Sequence, residues 1–298
     1  MFLKKIKLLV AFLIIFISVL NINNISFSKT EKKDFFSRNI QISKNPQRIL
    51  SLSPATTEIL YSLGLDKKIV GVTLDCNYPP SASKKTKVGK FGYISLESVV
   101  SLKPDIIFGT KDTGKQLDIL KNYKVPLIAL DTSDINSILD NISIVGELTN
   151  TKSKALEVNK NLRNRIKIVK QNAKKINKPK IFYCVWANPF ITAGKNSFIN
   201  DMINIVGAKN ISESINASFS QYSIESLVAE NPDYIIIPKS SVKSINFKSM
   251  PWNRLKAVKN NHILIVNEDT YQRPSARIIN ALEELQKVLI KNQKITKK

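Results

Sequence analysis

The stretch Thr151–Ile176 (TKSKALEVNKNLRNRIKIVKQNAKKI) constrains this chain more than any other, because it reads as one long helix. Its apolar residues Ala155, Val158, Leu162, Ile166, Val169, Ala173 and Ile176 recur at steps of three or four, with Lys, Arg, Asn and Gln between them. No Gly or Pro interrupts it before Pro179. At about 1.5 Å per residue such a helix spans roughly 40 Å, the width of a small domain, and is long enough to bridge two lobes.

Segments of similar length flank it, and both carry the same phrase. Ser95–Ile107 (SLESVVSLKPDII) and Ser223–Ile235 (SIESLVAENPDYI) align without a gap at an offset of 128 and are identical at seven of thirteen positions. Each reads as a short helix opening at Ser, with a Glu in its first turn where the helix dipole favours negative charge, then Pro-Asp and a buried strand. Either a common helix-to-strand turn has recurred, or the chain holds two pseudo-symmetric lobes that each present one acidic helix start, Glu97 and Glu225.

The length of 298 residues accommodates two cores, and 43% apolar content is ordinary for soluble α/β proteins. A formal charge of +23 invites a nucleic-acid reading, but only seven of the 46 basic residues are Arg and the Lys are scattered rather than gathered into stripes. No nucleic-acid partner is expected. Cys76 and Cys184 are too few for a disulfide framework, and they sit on opposite sides of the long helix, so free thiols are expected.

Residues 1–28 carry Lys4, Lys5 and Lys7, an apolar run Leu8–Leu20 broken only by Ser18, and Ser26 and Ser28 at the spacing of a cleavage site. That is the pattern of a secretory signal peptide, with an uncleaved membrane anchor as the alternative. No Cys lies near the cleavage point, so no lipid anchor is expected. Residues 29–47 form a polar lead-in, 48–150 a first lobe, 151–176 the connector and 177–298 a second lobe.

Within the lobes short β-branched runs alternate with amphipathic ones, which predicts mainly parallel sheets with helices on their faces. Helices are expected at Ala55–Leu63, near Gln116–Tyr123, at Ile135–Leu148, at Ser197–Val206 and from the YQRPSARI segment to about Lys291. Phe219 and Tyr222 fall in a polar loop. The loop Leu74–Gly92 holds Tyr78 and Phe91 without periodic apolar partners, either pinned to the domain edge or offered to a ligand. Trp186, and Tyr271 with Arg273, fall at carboxyl ends of strands, where open α/β sheets collect ligands. Trp252 is expected to pack locally.

Catalytic patterns are missing: there is no GxSxG, GxxxxGK[ST], GxGxxG or HExxH. His262 is the single histidine, so neither a Ser-His-Asp triad nor a multi-histidine metal site is expected. The residues predict a protein that is not an enzyme and has no metal or cofactor of its own. An exported enzyme using carboxylates, or Tyr and Arg, is the competing class.

RILSLSPATTEILYSLGL, CNYPP, the doubled S-[LI]-E-S before PD, NPFITAGKNSFINDMINIVGAKNI and YQRPSARI together resemble the periplasmic binding proteins of vitamin B12 and ferric-siderophore ABC importers, and most of all the cobalamin-binding members. The resemblance runs from about Arg48 to Ile290. It implies two α/β lobes joined by a single rigid helix, with a ligand cleft between them. It implies capture of cobalamin or a related corrinoid, with a ferric siderophore as the alternative, and delivery by a monomer to the permease dimer of a membrane importer. The aromatic lining it implies maps onto Tyr78, Phe91, Trp186, Phe219 and Tyr271, with Arg273 beside them. Phe91 and Phe219 stand where a Trp is expected, and Thr110 where another aromatic occurs. Glu97 and Glu225 match the acidic residues that meet basic residues of the importer, one per lobe, against the plainer reading that each caps its own helix. The implied location is periplasmic, or the outer face of the membrane if the signal helix is retained.

Overall fold

The computed structural model describes residues 32–296, apart from Gln41, Ile42 and Lys44. The expected signal segment lies outside the described residues. Four parallel strands form the first sheet: β1 (Ile49–Ser51), β2 (Ile69–Val72), β3 (Ile106–Thr110) and β4 (Leu127–Leu130), in the order β2-β1-β3-β4. Helices cover both faces, so β1 and β3 are buried throughout and read as continuous apolar runs rather than alternating ones. Helix α1 (Pro54–Ser62) opens with Ser53 accepting from the Thr56 amide and Pro54 in its first turn, and Gly64 follows its end at a φ of 74°.

After β3 the chain departs from expectation. The helix predicted near Gln116–Tyr123 is replaced by a run of 3-10 turns over Lys111–Leu120. Leu117 and Leu120 are both buried, and a spacing of three suits a helix with three residues per turn.

The second sheet is mixed. Its strands are β5 (Lys180–Ala187), β6 (Phe190–Ala193), β7 (Lys209–Asn210), β8 (Phe219–Gln221), β9 (Tyr234–Pro238) and β10 (Ile263–Val266). The order is β8-β6-β5-β9-β10, with β7 paired to the start of β5. β6 and β8 run antiparallel to their neighbours, while β7, β9 and β10 pair in parallel. Phe219 is therefore not in a loop but on the edge strand β8, opposite Ala193. Three residues with polar neighbours carry no alternation that could have announced a strand. Trp252 packs edge-on against Phe190 and Phe247, as a local contact should.

The repeated phrase has a shared structure. Helices α2 (Leu96–Ser101) and α6 (Ile224–Glu230) are opened by Ser95 and Ser223, whose hydroxyls accept from the Ser98 and Ser226 amides. Both phrases turn through a left-handed residue at the same place, Lys103 at φ 44° and Asn231 at φ 45°. Both Pro-Asp carboxylates then tie the following strand to its neighbour: Asp105 accepts from the Gln47 and Arg48 amides ahead of β1, and Asp233 from the Lys180 amide at the start of β5. The motif is a staple between adjacent parallel strands, used once per sheet.

The connector is helix α4 (Lys152–Ala173), one residue shorter at its start and three at its end than expected. It is packed among α3 (Ile135–Leu148), α5 (Phe198–Ile205) and α9 (Ile278–Thr296). Leu162, Ile166 and Val169 are buried on its stripe, and Asn159 occupies that stripe by donating to the Leu139 carbonyl and the Ser143 hydroxyl of α3, both at 2.8 Å. Gly146 lets α3 close on α4: a Cβ there would sit 2.4 Å from that of Ala155. Arg165 forks onto Glu283 of α9, and Gln286 of α9 donates to the Val169 carbonyl. Asp201 of α5 accepts from the first amide of α3. One hydrophobic core consequently runs from Ile49 in the first sheet through these four helices to Ile236 in the second. The short helices α7 (Lys256–Lys259) and α8 (Glu268–Tyr271) flank β10. Among the described residues no helix is long and apolar enough to cross a membrane.

Candidate functional site

The carboxyl ends of β1, β3 and β10 open onto a cleft of about 250 Å³. From the first lobe it is walled by Ser53, Pro54 and Ala55 after β1, by Thr110 at the end of β3 and Asp112 after it, and by Asp75 and Phe91 of the loop. The second lobe contributes Glu268, Asp269, Gln272, Arg273 and Pro274.

Below it the lobes are clasped. Glu58, an acid in the otherwise apolar second turn of α1, is 5% exposed. Its Oε1 accepts from Arg273 Nη1 at 3.1 Å and Arg277 Nη2 at 2.5 Å, and its Oε2 from Arg277 Nε at 2.8 Å and Ser275 Oγ at 2.5 Å. Arg273 also donates to Asn77 Oδ1, Asp269 and the Asp75 carbonyl. Arg273 lines the cleft, but its two terminal nitrogens are spent on acceptors from both lobes, so it holds the floor. The guanidinium of Arg277 stacks 3.6 Å from the Tyr78 ring centroid.

The anticipated aromatics divide. Phe91 is 39% exposed and lines the cleft, its amide donating to Asp75 Oδ2 at 2.6 Å. Tyr78, Trp186 and Phe219 are 42%, 49% and 44% exposed but do not line the enclosed part of the cleft. Tyr78 lies on Arg277, Trp186 stands at the end of β5 with its indole N–H donating to the Asn188 carbonyl, and Phe219 is on the sheet edge. Tyr271 is a correction. It ends α8 facing inward, is 2% exposed in the main core, and its phenol pKa is raised by that burial and by Glu284. A ring so placed cannot meet a ligand.

Sequence reasoning missed Glu58, Asn77, Asp269 and Arg277 as a group. The available signal was a lone acid within an apolar helix, together with two arginines four apart after a strand. Thr110, which the resemblance placed where another aromatic occurs, does line the cleft. The Thr110 side chain is buried at 2% exposure and its hydroxyl has no hydrogen-bond partner, a costly state for a polar atom.

Glu97 and Glu225 are exposed in the first turns of α2 and α6, and neither makes a hydrogen bond or ion pair among the described residues. Ser95 and Ser223 provide the capping. Cys76 and Cys184 are free and buried, and burial raises both thiols, Cys184 to about 12, so neither is a poised nucleophile.

The sequence profile described as periplasmic binding protein matches residues 49–270. The Bacillus subtilis (strain 168) protein YvrC, described as an uncharacterized ABC transporter substrate-binding lipoprotein, is 32% identical over 261 residues, covering 85% of this chain and 82% of its own. A vitamin B12-binding protein of Vibrio parahaemolyticus (serotype O3:K6, strain RIMD 2210633) is 27% identical over 253 residues, covering 84% and 92%. The crystal structure of the periplasmic vitamin B12 binding protein BtuF of Vibrio cholerae superposes with a TM-score of 0.76 at 25% identity, covering 84% of this chain and 98% of that one. With two α/β lobes about one connecting helix, a cleft between them, and a profile match over most of its length, the chain belongs to the periplasmic binding protein family.

Proposed function

We propose that the chain is an exported solute-binding protein that captures cobalamin or a related corrinoid in the cleft between its lobes and delivers it to a membrane ABC importer. The observation that carries this reading is the set of large exposed aromatic surfaces, Phe91 in the cleft wall and Tyr78, Trp186 and Phe219 outside its enclosed part, drawn from both lobes. Exposed rings give broad apolar contact at low entropic cost, which suits a large rigid macrocycle. The B12-binding relatives support the same ligand class. Among the described residues neither lobe offers the cleft a nucleophile with an adjacent base, which fits binding without turnover. The chain acts as a monomer outside the cytoplasm, with residues 1–28 as its export signal, either cleaved or kept as a tether. Glu97 and Glu225 dock one lobe each onto the permease dimer, since each is exposed, unpaired and not needed as a cap.

Titration calorimetry with cyanocobalamin and cobinamide tests the reading, with saturable one-to-one binding expected. Trp186→Ala should weaken it by about 1–3 kcal/mol, the worth of an aromatic contact covered by ligand. Absence of heat and of thermal stabilisation with both corrinoids, alongside binding of a ferric siderophore, would replace the corrinoid by the siderophore.

A further inference from the structure

The formal charge of the chain is +23, yet the cleft wall carries four carboxylates, Asp75, Asp112, Glu268 and Asp269, against one guanidinium, Arg273. Arg273 is already shared between Asp269 and Glu58. Asp75 receives only the Phe91 amide from the chain around it, and Asp112 and Glu268 have no ionic or hydrogen-bond partner among the described residues. The nearest lysine in sequence, Lys111, is drawn off to Asp131 at 2.9 Å. Three carboxylates without an ionic partner among the described residues thus face one small concave space on a basic protein. Within the same wall, the buried Thr110 hydroxyl at the carboxyl end of β3 has no partner in the protein. Unpaired carboxylates converging on a cleft repel one another, and an unbonded buried hydroxyl is more costly than a valine of the same shape. Both are accounted for by a ligand that brings positive charge and a hydrogen-bonding group.

We infer that the cleft selects its metal complex by charge, taking cationic or neutral complexes and rejecting polyanionic ones, with Asp75, Asp112 and Glu268 supplying the field and Thr110 a hydrogen bond to the bound ligand. The inference rests on the capture function proposed above and narrows its ligand class. It favours corrinoids, whose central cobalt leaves the macrocycle neutral or positive, and cationic ferric hydroxamates. It disfavours ferric tricatecholates and haem, which carry net negative charge.

Two probe pairs test it on the full mature chain. The first holds the macrocycle constant: aquacyanocobinamide, singly positive, against dicyanocobinamide, neutral. The second compares a cationic ferric trihydroxamate with an anionic ferric tricatecholate. The positive member of each bound pair should bind tighter by about tenfold per unit charge at low ionic strength, a margin that shrinks as salt screens the field. Asp112→Asn combined with Glu268→Gln should shrink the margin within the cobinamide pair several-fold, leaving the part due to Asp75. Thr110→Val should lower affinity several-fold while leaving the melting temperature of the empty protein unchanged or higher, a combination that a merely structural hydroxyl would not produce. If neither cobinamide binds but the cationic hydroxamate outcompetes the catecholate, the corrinoid reading falls and charge selection stands. If both cobinamides bind equally, charge selection falls and the corrinoid reading stands. Tighter binding of the catecholate, or no binding of any probe, overturns the inference.

Discussion

Glu58→Ala is the most informative single change. The Glu58 side chain is 3% exposed, and it is the common acceptor for Arg273 and Arg277, which are 12% and 18% exposed, and for Ser275. Removing the carboxylate strips four hydrogen bonds from a site with little room for water and leaves two guanidiniums facing each other. Breaking a buried pair by deleting one partner costs about 3–5 kcal/mol. The lower end applies here, because Arg273 keeps Asp269 and Asn77, and Arg277 keeps the Asp269 carbonyl and the Tyr78 ring. For a chain of this size about 3 kcal/mol corresponds to a fall of roughly 6–12 °C in melting temperature. Glu58→Gln keeps the shape and one acceptor oxygen, so about half that fall is expected. Because the acceptor comes from the first lobe and the donors from the second, the Glu58→Ala and Arg277→Ala effects should be strongly non-additive in the double variant. Differential scanning calorimetry of the three variants reads all of this. A Glu58→Ala protein melting within about 2 °C of wild type, or a double variant equal to the sum of its singles, would refute the clasp.

Gly146→Ala should destabilise by about 1–3 kcal/mol although alanine favours helices, because the added methyl meets Ala155 Cβ at 2.4 Å across a tightly packed helix pair; unchanged urea unfolding would show that the helices can part at no cost. The Lys111 hydrogen bond holds the Asp131 carboxyl at about 2, below its ordinary 3.8, and Arg165 likewise lowers Glu283. Both stabilisations are complete above the unfolded-state values and are lost in acid, that of Asp131 as pH falls from about 4 towards 2, so Asp131→Asn should show a shallower acid limb in pH-dependent unfolding. Superimposable limbs would count against that ion pair. Glu97→Ala with Glu225→Ala should leave corrinoid affinity and melting unaltered but reduce uptake in reconstituted importer vesicles several-fold, more at low salt; normal uptake would remove both residues from the docking face.

Much of the fold could be read from residue spacing alone. The α3 bounds and the stripe of α4 follow from strong apolar periods, and the repeat pointed correctly to two equivalent substructures. Elements that lacked a period were misread. The turns over Lys111–Leu120 offered only Leu117 and Leu120 at a spacing of three, and β8 is held by pairing with β6 rather than by its own side chains. At the cleft, the resemblance pointed to Phe91 with Arg273 beside it, and both stand in the wall. Type could not tell that the Tyr271 ring turns into the core, because one helical turn after Asn267 decides its direction. The Glu58 clasp joins residues more than 210 positions apart, and only the folded chain brings them together.

The four-helix block around α4 also limits what the outside of the molecule can report. With one core continuous from sheet to sheet, the lobes cannot swing apart without unpacking it, so filling the cleft changes the overall outline little. On the docking role proposed for Glu97 and Glu225, a membrane partner reading that surface would receive nearly the same shape whether the cleft is loaded or empty. Empty molecules then occupy the importer as competitors of loaded ones, and the fraction of the population carrying cargo, rather than recognition at the membrane, becomes the quantity that sets the flux.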